Sequence, residues 1–390
     1  MADAQAISTP SPGATRRRGA SGAEAMLARL LADAEITLNG PEPWDPQVHN
    51  PEVYARVVAE GSLGFGEAYM DGWWDCERLD TLFERIVAHR IDKGLRPSMS
   101  LIWLVLNAHL QNRQSKSRVW DVAQIHYDLD VDVFEATFDK RLTGSCGYWA
   151  KADNLDAAQE AKLDLVCRKI GLQAGERVLD IGCGWGAFMG FAAERYGATC
   201  VGVTVSQVQA DYGRKRYAGL PVEFQVKDYR DFEGRVDRIA SMGMFEHVGA
   251  RNYRTYFESA RRWLADDGLF LLHTIWANDA YPTIDPWLDK YIFPNGCLPT
   301  VGQVGDAVEG LFVIENVENF GPDYDRTLMA WRAKFQTNRA AISAKYGERF
   351  CRMWDYYLCC CAGGFRSRGI NVGQFVLSPK GVPGGWRLNP

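Results

Sequence analysis

The first part of the chain carries apolar residues at the spacing of amphipathic helices. The segment MLARLLADAEI places Leu27, Leu30 and Leu31 on one face, and LDTLFERIVAHRI repeats the same spacing. Apolar positions that recur every three or four residues are typical of a helix that packs one face against a core. Residues 24–120 are therefore predicted to form a small, mainly helical domain, preceded by a disordered tail over residues 1–23.

From about residue 170 the pattern changes to short apolar strands that alternate with helical segments. Strands are predicted in ERVLDIGCG, ATCVGVTV, PVEFQVKDY, RIASMGMF, LFLLHTIW, LFVIENVENF and VGQFVLS. Helices are predicted between them, including YRTYFESARRWLADDG and two long ones near 327–347 and 349–366. Strands that alternate with helices predict an α/β fold with a mostly parallel, seven-stranded sheet.

One segment, residues 277–310, interrupts this alternation because it has neither a helical nor a strand period. Long aperiodic insertions in compact domains usually serve as lids or binding loops. We therefore predict that 277–310 is an inserted substrate-binding segment of the α/β domain, which spans residues 121–390.

Composition and charge exclude several classes of protein. With 390 residues, of which 47% are hydrophobic and 24% charged, the chain can bury a substantial core and is not wholly disordered. Its formal net charge of −5 argues against a dedicated nucleic-acid binder. The apolar run 101–110 is far shorter than the ~20 residues of a membrane-spanning helix. Arg96, Arg113 and Lys116 flank that run, which fits either ordinary solvated charges or a lipid-facing surface.

The ten cysteines have neither the CxxC spacing of a zinc site nor the density of a disulfide scaffold. No metal site is predicted from them. No secretory apolar segment is recognisable at the start of the chain. Reduced thiols in a cytoplasmic protein are therefore expected.

A glycine-rich motif follows the first predicted strand of the α/β region and opens a helix. It runs Asp180-Ile181-Gly182-Cys183-Gly184-Trp185-Gly186. Glycines at such a turn let the backbone approach a ligand, and the following helix N-terminus offers free N–H groups. A GxGxG spacing after an acid, without a phosphate-binding lysine, favours S-adenosylmethionine over a dinucleotide or ATP. Because the next strand ends in Thr204 and Ser206 instead of an acid, hydroxyl and amide groups are expected to hold the ribose.

Several longer motifs resemble those of the cyclopropane-fatty-acyl-phospholipid synthases, and the resemblance runs from about residue 55 to 378. The motifs are GSLGFGEAYMDGWWDCERLD (61–80), HYDLDVDVFEATFDKRLTGSCGYW (126–149), VLDIGCGWGAF (178–188), SMGMFEHVGARNY (241–253), LLHTI (271–275), DPWLDKYIFPNGCLPT (285–300), FGPDYDRTLMAW (320–331) and YYLCCCAGGFRSRG (356–369). The first block resembles the amino-terminal lipid-binding domain of the members that act on phospholipids. Members that act on mycolic acids generally lack it.

The resemblance implies a class I methyltransferase fold, with a Rossmann-like sheet and a smaller helical lipid-binding domain. It implies transfer of a methylene group from S-adenosylmethionine to a cis double bond in the acyl chain of a membrane phospholipid. It also implies a cytoplasmic homodimer that associates peripherally with the inner face of the cell membrane. Two alternatives remain open: a related enzyme that leaves a methyl or methylene branch, and a non-catalytic lipid-binding protein.

The resemblance further implies a bound bicarbonate ion that acts as the general base. Five matched positions would hold it: Cys146, Glu246, His273, Ile275 (through its backbone) and Tyr324. These groups suit an anion, because a carboxyl and an imidazole can fix and polarise it while a phenol, a thiol and a backbone N–H donate hydrogen bonds. Cys361 aligns with a cysteine sometimes designated as the active-site residue. The reaction has no need of a covalent thiol, so a helix-packing role is the alternative for Cys361.

The cofactor contacts implied by the resemblance form four groups. They are Gly144 and Ser145; Leu179, Asp180, Ile181, Gly182, Cys183, Gly184, Trp185, Gly186 and Ala187; Thr204, Val205, Ser206, Gln207, Val208 and Gln209; and Tyr229 with Arg230. Family members often have an aromatic residue where this chain has Gly144, so a side-chain contact is lost there although the backbone contact can remain. Some members have an acid at the position of Arg230, which leaves its role open.

Overall fold

The computed structural model describes residues 17–91, 102, 114 and 130–388 of the chain. The amino-terminal part is made of short helices and a pair of two-residue antiparallel strands. In chain order its elements are α1 (Arg17–Ala32), β1 (Gln47–Val48), α2 (Glu52–Glu60), α3 (Ser62–Met70), β2 (Trp74–Asp75) and α4 (Leu79–Ala88). The two helices predicted from apolar spacing correspond to α1 and α4.

Of two further predictions for the amino-terminal part, one differs from the structure and the other falls on residues that are not described. Helix α1 begins at Arg17, so it takes in the last residues of the segment 1–23 that was predicted as a tail. The apolar run 101–110 lies outside the described residues except for Ile102, as do the basic residues that flank it.

The rest of the described chain forms an α/β domain. Its elements are α5 (Val131–Glu135), α6 (Leu155–Lys169), β3 (Arg177–Ile181), α7 (Ala187–Tyr196), β4 (Thr199–Thr204), α8 (Gln207–Arg216), β5 (Val222–Val226), β6 (Val236–Met242), α9 (Tyr253–Trp263), β7 (Leu264–Ala277), α10 (Pro286–Tyr291), α11 (Val301–Val308), β8 (Val313–Asn319), α12 (Gly321–Tyr346), α13 (Glu348–Arg366) and β9 (Ile370–Ser378). The sheet order is β5-β4-β3-β6-β7-β9-β8. Strand β9 is antiparallel to both of its neighbours and the other pairs are parallel, so the predicted seven-stranded, mostly parallel sheet is confirmed.

The core lies on both faces of this sheet because successive side chains of a strand point in opposite directions. Leu179 of β3 packs in one cluster together with Phe257 of α9. Its neighbour Val178 packs in a second cluster together with Met189 of α7. A strand covered on both faces reads as a continuous apolar run, which is how β3 was recognised in the sequence.

Three local predictions differ from the structure. The helix expected over YRTYFESARRWLADDG ends at Trp263, because the last five of those residues begin the fourteen-residue strand β7. The segment 277–310 is not without structure: α10 is capped by Asp285 and α11 by a capping box of Thr300 and Gln303. Such caps satisfy the free N–H groups that open a helix, and they allow helices too short to show a period. Helix α6 was not predicted.

The amino-terminal helices pack directly onto the α/β domain. Buried residues from both parts belong to one continuous hydrophobic cluster. The indole of Trp287 in α10 occupies the space beside Gly66 of α3, where a Cβ atom would collide with it. On the other side, Arg366 at the end of α13 forms ion pairs with Asp80 of α4 and Asp325 of α12, each with an N–O distance of 2.8 Å. The domain boundary predicted at residue 120 lies outside the described residues.

Candidate active site

The glycine-rich loop joins β3 to α7 at the carboxyl edge of the sheet. Gly182, Gly184 and Gly186 have φ angles of +80°, +52° and +83°, a region that only glycine enters without steric cost. A Cβ atom at Gly182 would lie 2.6 Å from Met244 Cγ, and one at Gly186 would collide with the ring of Phe224. None of the described residues has an atom within 4 Å of the same position at Gly184. The loop therefore leaves an opening that a ligand can approach as far as the backbone.

Three side chains of the predicted cofactor segment 179–187 pack in the core and do not line this opening. Leu179 and Ile181 are fully buried in the sheet, and Trp185 packs edge-on against Tyr212 with ring centroids 5.1 Å apart. These three side chains stabilise the fold. The side chains of Leu179 and Ile181 point into the core, so the backbone is what these two positions offer to a cofactor.

Two buried charged groups lie close to the loop, and sequence reasoning identified only one of them. Burial raises the pKa of Asp180 to about 7, although the positive charge of Lys162 opposes the shift. Burial lowers the pKa of Lys162, which lies on α6, to about 8. Lys162 Nζ donates a hydrogen bond to Ser145 Oγ over 2.8 Å, and Gln159 Nε2 donates to the Ser145 carbonyl over 2.8 Å. Lys162 was missed because it lies on a helix that the apolar pattern did not reveal.

The segment 144–147 borders the loop that follows β6. Gly243 belongs to that loop. A Cβ atom added to Gly243 would lie 3.9 Å from Ser145 Cβ. Gly147 N donates to Thr327 Oγ1 over 3.0 Å, which fixes the segment to α12. Gly144 is exposed, and a Cβ atom there would make only ordinary contact with Phe138, at 3.4 Å. Ser145 and Cys146 therefore lie between the cofactor loop and α12.

The residues predicted after β4 serve partly to start α8. Ser206 is the N-cap, its Oγ accepting from Gln209 N over 3.2 Å. Thr204 Oγ1 donates to Gln209 Oε1 over 3.3 Å and accepts from Ser206 N over 3.2 Å. Gln207 and Val208 are exposed, and the Gln207 amide donates to Asp211. Thr204, Ser206 and Gln209 thus form a buried, hydrogen-bonded group at the end of β4, and Val205 is half-buried.

Arg230 has a buried partner that the sequence analysis did not single out. Its Nε and Nη2 donate to the two carboxylate oxygens of Asp228 over 2.8 and 2.6 Å. The guanidinium also lies 5.4 Å from the ring centroid of Tyr229. Asp228 is an acid just beyond the end of β5, and that position was the available signal for it. Arg230 is therefore neutralised by Asp228 instead of being free to bind an anionic ligand.

Glu246 occupies a gap at the end of β6. Strand β6 ends at Met242, opposite His273 of β7, so two residues later the N–H of Ile275 has no strand partner on that side. Glu246 Oε1 accepts from that N–H over 2.7 Å. In this structure the carboxyl of Glu246 therefore accepts from the N–H of Ile275, and a contact of that N–H with an anion stays a prediction. Glu246 Oε2 is buried and has no hydrogen-bond partner among the described residues.

His273 lies at the centre of the sheet and is almost completely buried. Its Nδ1 is 3.4 Å from Gln374 Nε2, and no described residue makes a hydrogen bond with its Nε2. Burial lowers the pKa of His273 well below the ordinary value, and the charges of Lys162 and Lys169 add to the shift. The ring is therefore neutral and carries a single proton. Gln374 was not singled out, since a polar residue within a strand gives no local signal.

Tyr324 and Cys146 approach the same region from α12 and the segment 144–147. Burial raises the pKa of Tyr324 well above its ordinary value, and Cys146 and Glu246 add to the shift, which places both near the phenol. The ring packs against Phe365 with centroids 4.6 Å apart. Burial likewise raises the pKa of Cys146, whose Sγ donates to the Gly147 carbonyl over 3.2 Å. We call Cys146, Glu246, His273 and Tyr324 the buried cluster.

Burial away from water determines the protonation states of the buried cluster. The phenol, the thiol and one imidazole nitrogen all keep a proton at neutral pH, and burial raises the pKa of Glu246 to about 7. A site whose members keep donatable protons binds an anion through hydrogen bonds and adds no fixed positive charge. The unpartnered Glu246 Oε2 and His273 Nε2 are two buried polar atoms that such an anion would satisfy.

Cys361 lies on α13 and does not have the properties of a nucleophile. Burial raises the pKa of its thiol to about 12, and the nearby Asp285 adds to the shift. A thiol protonated at neutral pH is a poor nucleophile. Its side chain packs at the edge of the main hydrophobic cluster, which favours the helix-packing interpretation. All ten cysteines lie within the described residues, and none of them forms a disulfide there.

Comparison with known proteins decides the family. A profile described as mycolic acid cyclopropane synthetase matches residues 114–375, more than half of the chain. The chain belongs to this family. A cyclopropane-fatty-acyl-phospholipid synthase of Escherichia coli (strain K12) is 48% identical over 359 residues, covering 92% of this chain and 94% of that protein. A tuberculostearic acid methyltransferase of Mycobacterium tuberculosis (strain ATCC 25618 / H37Rv) is 32% identical over 382 residues, covering 91% and 88%.

A solved family member shares the fold of the α/β domain. Mycolic acid cyclopropane synthase CmaA1, complexed with SAH and CTAB, aligns with a TM-score of 0.62 at 34% identity. The alignment covers 97% of that chain but only 66% of this one, so about a third of this chain has no counterpart there. The E. coli relative, by contrast, matches nearly the whole chain. The class I methyltransferase fold and a methyl donor of the S-adenosylmethionine type are thereby confirmed.

Proposed function

We propose that this protein transfers a methylene group to the cis double bond of an unsaturated phospholipid acyl chain and closes a cyclopropane ring. The observation that carries the proposal is the buried cluster of Cys146, Glu246, His273 and Tyr324 beside the glycine-rich loop. The 48% identity to an E. coli cyclopropane-fatty-acyl-phospholipid synthase supports the same reaction. S-adenosylmethionine, when bound, supplies an electrophilic methyl group.

The residues beside the loop fit that cofactor. The opening at Gly184 gives access to backbone N–H groups at the start of α7, where polar parts of a ligand bind favourably. Asp180 is buried, with the charge of Lys162 close to it, and its carboxyl can bind an ammonium group. Thr204, Ser206 and Gln209 offer hydroxyl and amide groups at the next strand. Together these residues would orient the donor towards the buried cluster.

The buried cluster would hold the base. An alkene attacks a methyl group only weakly, and the product of that attack is a carbocation that must lose a proton to close the ring. Bicarbonate, when bound, supplies a base of suitable strength. Glu246 and His273 would hold it through Oε2 and Nε2, and Tyr324 and Cys146 would donate further hydrogen bonds. Burial of all four groups keeps water from capturing the cation, and aromatic faces such as that of Tyr324 stabilise positive charge.

The deciding experiment supplies the purified protein with S-adenosylmethionine, bicarbonate and vesicles of a monounsaturated phospholipid. Acyl esters released afterwards are analysed by mass spectrometry and by NMR of the product. A ring product is expected. A methyl or methylene branch would instead favour the alternative reaction, for which the likeness to a tuberculostearic acid methyltransferase is the supporting observation. Absence of methyl transfer in every vesicle composition would leave only the lipid-binding interpretation.

Peripheral contact with the membrane is proposed for the amino-terminal helices. None of the helices in the described residues is long and apolar enough to cross a bilayer. Met26 of α1 is 43% exposed and Val58 of α2 is 40% exposed, so both can insert into a lipid surface. The family profile matches residues 114–375 and does not extend over these helices, which fits a role specific to phospholipid substrates.

A homodimer is proposed as well, with the edge strand β8 as its surface. Val313, Ile314 and Val317 of β8 are each at least 40% exposed, and an exposed apolar edge strand favours pairing with a second copy. The substitutions Met26→Asp and Val313→Asp test both proposals and serve as controls for each other. Met26→Asp should weaken vesicle sedimentation but keep the dimer in light scattering. Val313→Asp should do the reverse, and any other pattern contradicts one assignment.

A further inference from the structure

His273 and Gln374 face each other across the two antiparallel strands β7 and β9. The register of the pair places them directly opposite. Residues in that relation project to the same face of a sheet, with Cβ atoms about 5 Å apart. Gln374 Nε2 lies 3.4 Å from His273 Nδ1, at the long end of the hydrogen-bond range. Because Gln374 is 0% exposed and His273 is 1% exposed, water cannot replace this contact.

The charged residue beside Gln374 is already paired with another residue, so it does not compete with His273 for the Gln374 amide. Glu318 of β8 lies opposite Gln374 on its other side, but its carboxylate forms an ion pair with Lys169. Gln374 Oε1 has no hydrogen-bond partner among the described residues. Among the described residues, the hydrogen bond that the amide makes is therefore the one with His273 Nδ1.

The proton of a neutral imidazole can lie on either nitrogen, and its position decides what the ring offers. An amide N–H can donate to Nδ1 only if Nδ1 carries no proton. The single proton then lies on Nε2. That nitrogen is buried and has no hydrogen-bond partner among the described residues. In the opposite tautomer, Nε2 would present a lone pair to whatever binds there.

We propose that Gln374 is a positioning residue that fixes the Nε2–H tautomer of His273. His273 then contributes a buried Nε2–H donor to the buried cluster, whereas the other tautomer would present a lone pair and repel an anion. Partners that orient a functional histidine in this way commonly change the affinity for its ligand when they are lost. The part of the argument that concerns bicarbonate rests on the proposed function, but the tautomer itself does not.

The test uses the full-length protein labelled with ¹⁵N at histidine, whose ring nitrogens report protonation in NMR correlation spectra. The wild-type signals of His273, identified by loss in His273→Gln, should show a protonated Nε2. At alkaline pH the ionised carboxylate of Gln374→Glu offers only an acceptor, so the proton should move to Nδ1. Gln374→Leu should give a mixture. Ser378→Ala is the matched control, since it removes a buried hydroxyl from the same strand without reaching the ring, and should leave the signals unchanged.

Two results overturn the proposal. One is a proton on Nδ1 in the wild-type protein, which needs no variant to fold. The other is an unchanged tautomer in Gln374→Glu or Gln374→Leu. A kinetic measurement separates this from the proposed function: Gln374→Glu should raise the KM for bicarbonate by about 10- to 100-fold with a smaller change in kcat. If wild-type turnover does not depend on bicarbonate, the proposed base is wrong while the tautomer result stands.

Discussion

The glycine-rich loop and the buried cluster lie side by side, but they are built in different ways. The loop consists of consecutive residues, and its shape depends on Gly182 and Gly186, which have no room for a side chain. The cluster takes its four side chains from four separate segments, and its chemistry depends on burial. The comparison teaches that substitutions in the loop should act through shape and cofactor binding, whereas those in the cluster should act through protonation and turnover.

The largest expected effect comes from Glu246→Gln, which keeps the shape of the side chain but removes its ionisable group. Loss of a group that takes part in proton transfer costs about 10²- to 10⁴-fold in rate. We expect kcat to fall by that factor, while calorimetry gives a cofactor Kd within about twofold of the wild type. Glu258→Gln, at an exposed glutamate on α9, is the matched control and should change neither. Equal losses of kcat and cofactor affinity would remove the distinction between the two regions.

Gly186→Ala should show the opposite pattern, because it should weaken cofactor binding more than it lowers kcat. Its Cβ would have to enter left-handed backbone at φ +83° and collide with Phe224. Strain and overpacking together should lower the free energy of unfolding by about 3 kcal/mol and weaken cofactor binding.

The control is Gly219→Ala, which has φ +90° but nothing within 4 Å of its Cβ position. It isolates the backbone strain and should cost only about 1 kcal/mol in urea denaturation. If both variants lose the same stability, the contact with Phe224 does not shape the loop.

The protonation of Glu246 gives stability a pH dependence. Its pKa is raised from 4.5 to about 7 in the folded protein, so the folded state holds a proton that the unfolded state releases. The burial of this protonated carboxyl therefore affects the free energy of unfolding. Its contribution is largest below pH about 4.5 and is lost as the pH rises through about 7. Relative to Glu246→Gln, the wild type should lose about 3 kcal/mol over that range in urea titrations. A constant difference between the two proteins across these pH values would show that Glu246 is not buried from water.

The smallest effect is expected for Cys361→Ala. Because burial raises the pKa of this thiol to about 12, it is protonated at neutral pH and supplies no nucleophile. Turnover should stay within about twofold of the wild type. Cys146→Ala should lower it more, since Cys146 belongs to the buried cluster. A loss in Cys361→Ala as large as that in Glu246→Gln would restore a catalytic role to Cys361.

Much of the fold could be predicted because its signals are local. The strands β3 and β4 read as apolar runs, and the glycines of the loop follow β3 directly. Errors arose where tertiary contacts override local pattern. Residues 264–268 look helical but extend β7, and α10 and α11 are set by their caps and not by apolar period.

The candidate site divides in the same way. Glu246, His273, Tyr324 and Cys146 were found through family motifs, which carry information about distant contacts that a single segment lacks. Lys162, Gln374 and Asp228 were missed, because each matters through a partner far away in the chain or across the sheet. The hydrogen bond from the Ile275 N–H to Glu246 is another contact between distant segments that the sequence did not reveal.

The sequence by itself determined the order of strands and helices, the glycine-rich turn and the residue types available for catalysis. These follow from steric and apolar preferences that act over a few residues. Only the tertiary structure decided which of those residues are neutral, which are paired and which face one another. Burial shifts the pKa of Glu246 and of His273 in opposite directions, and the β7–β9 register sets Gln374 against the ring. Desolvation and register depend on the whole fold, so no local pattern contains them.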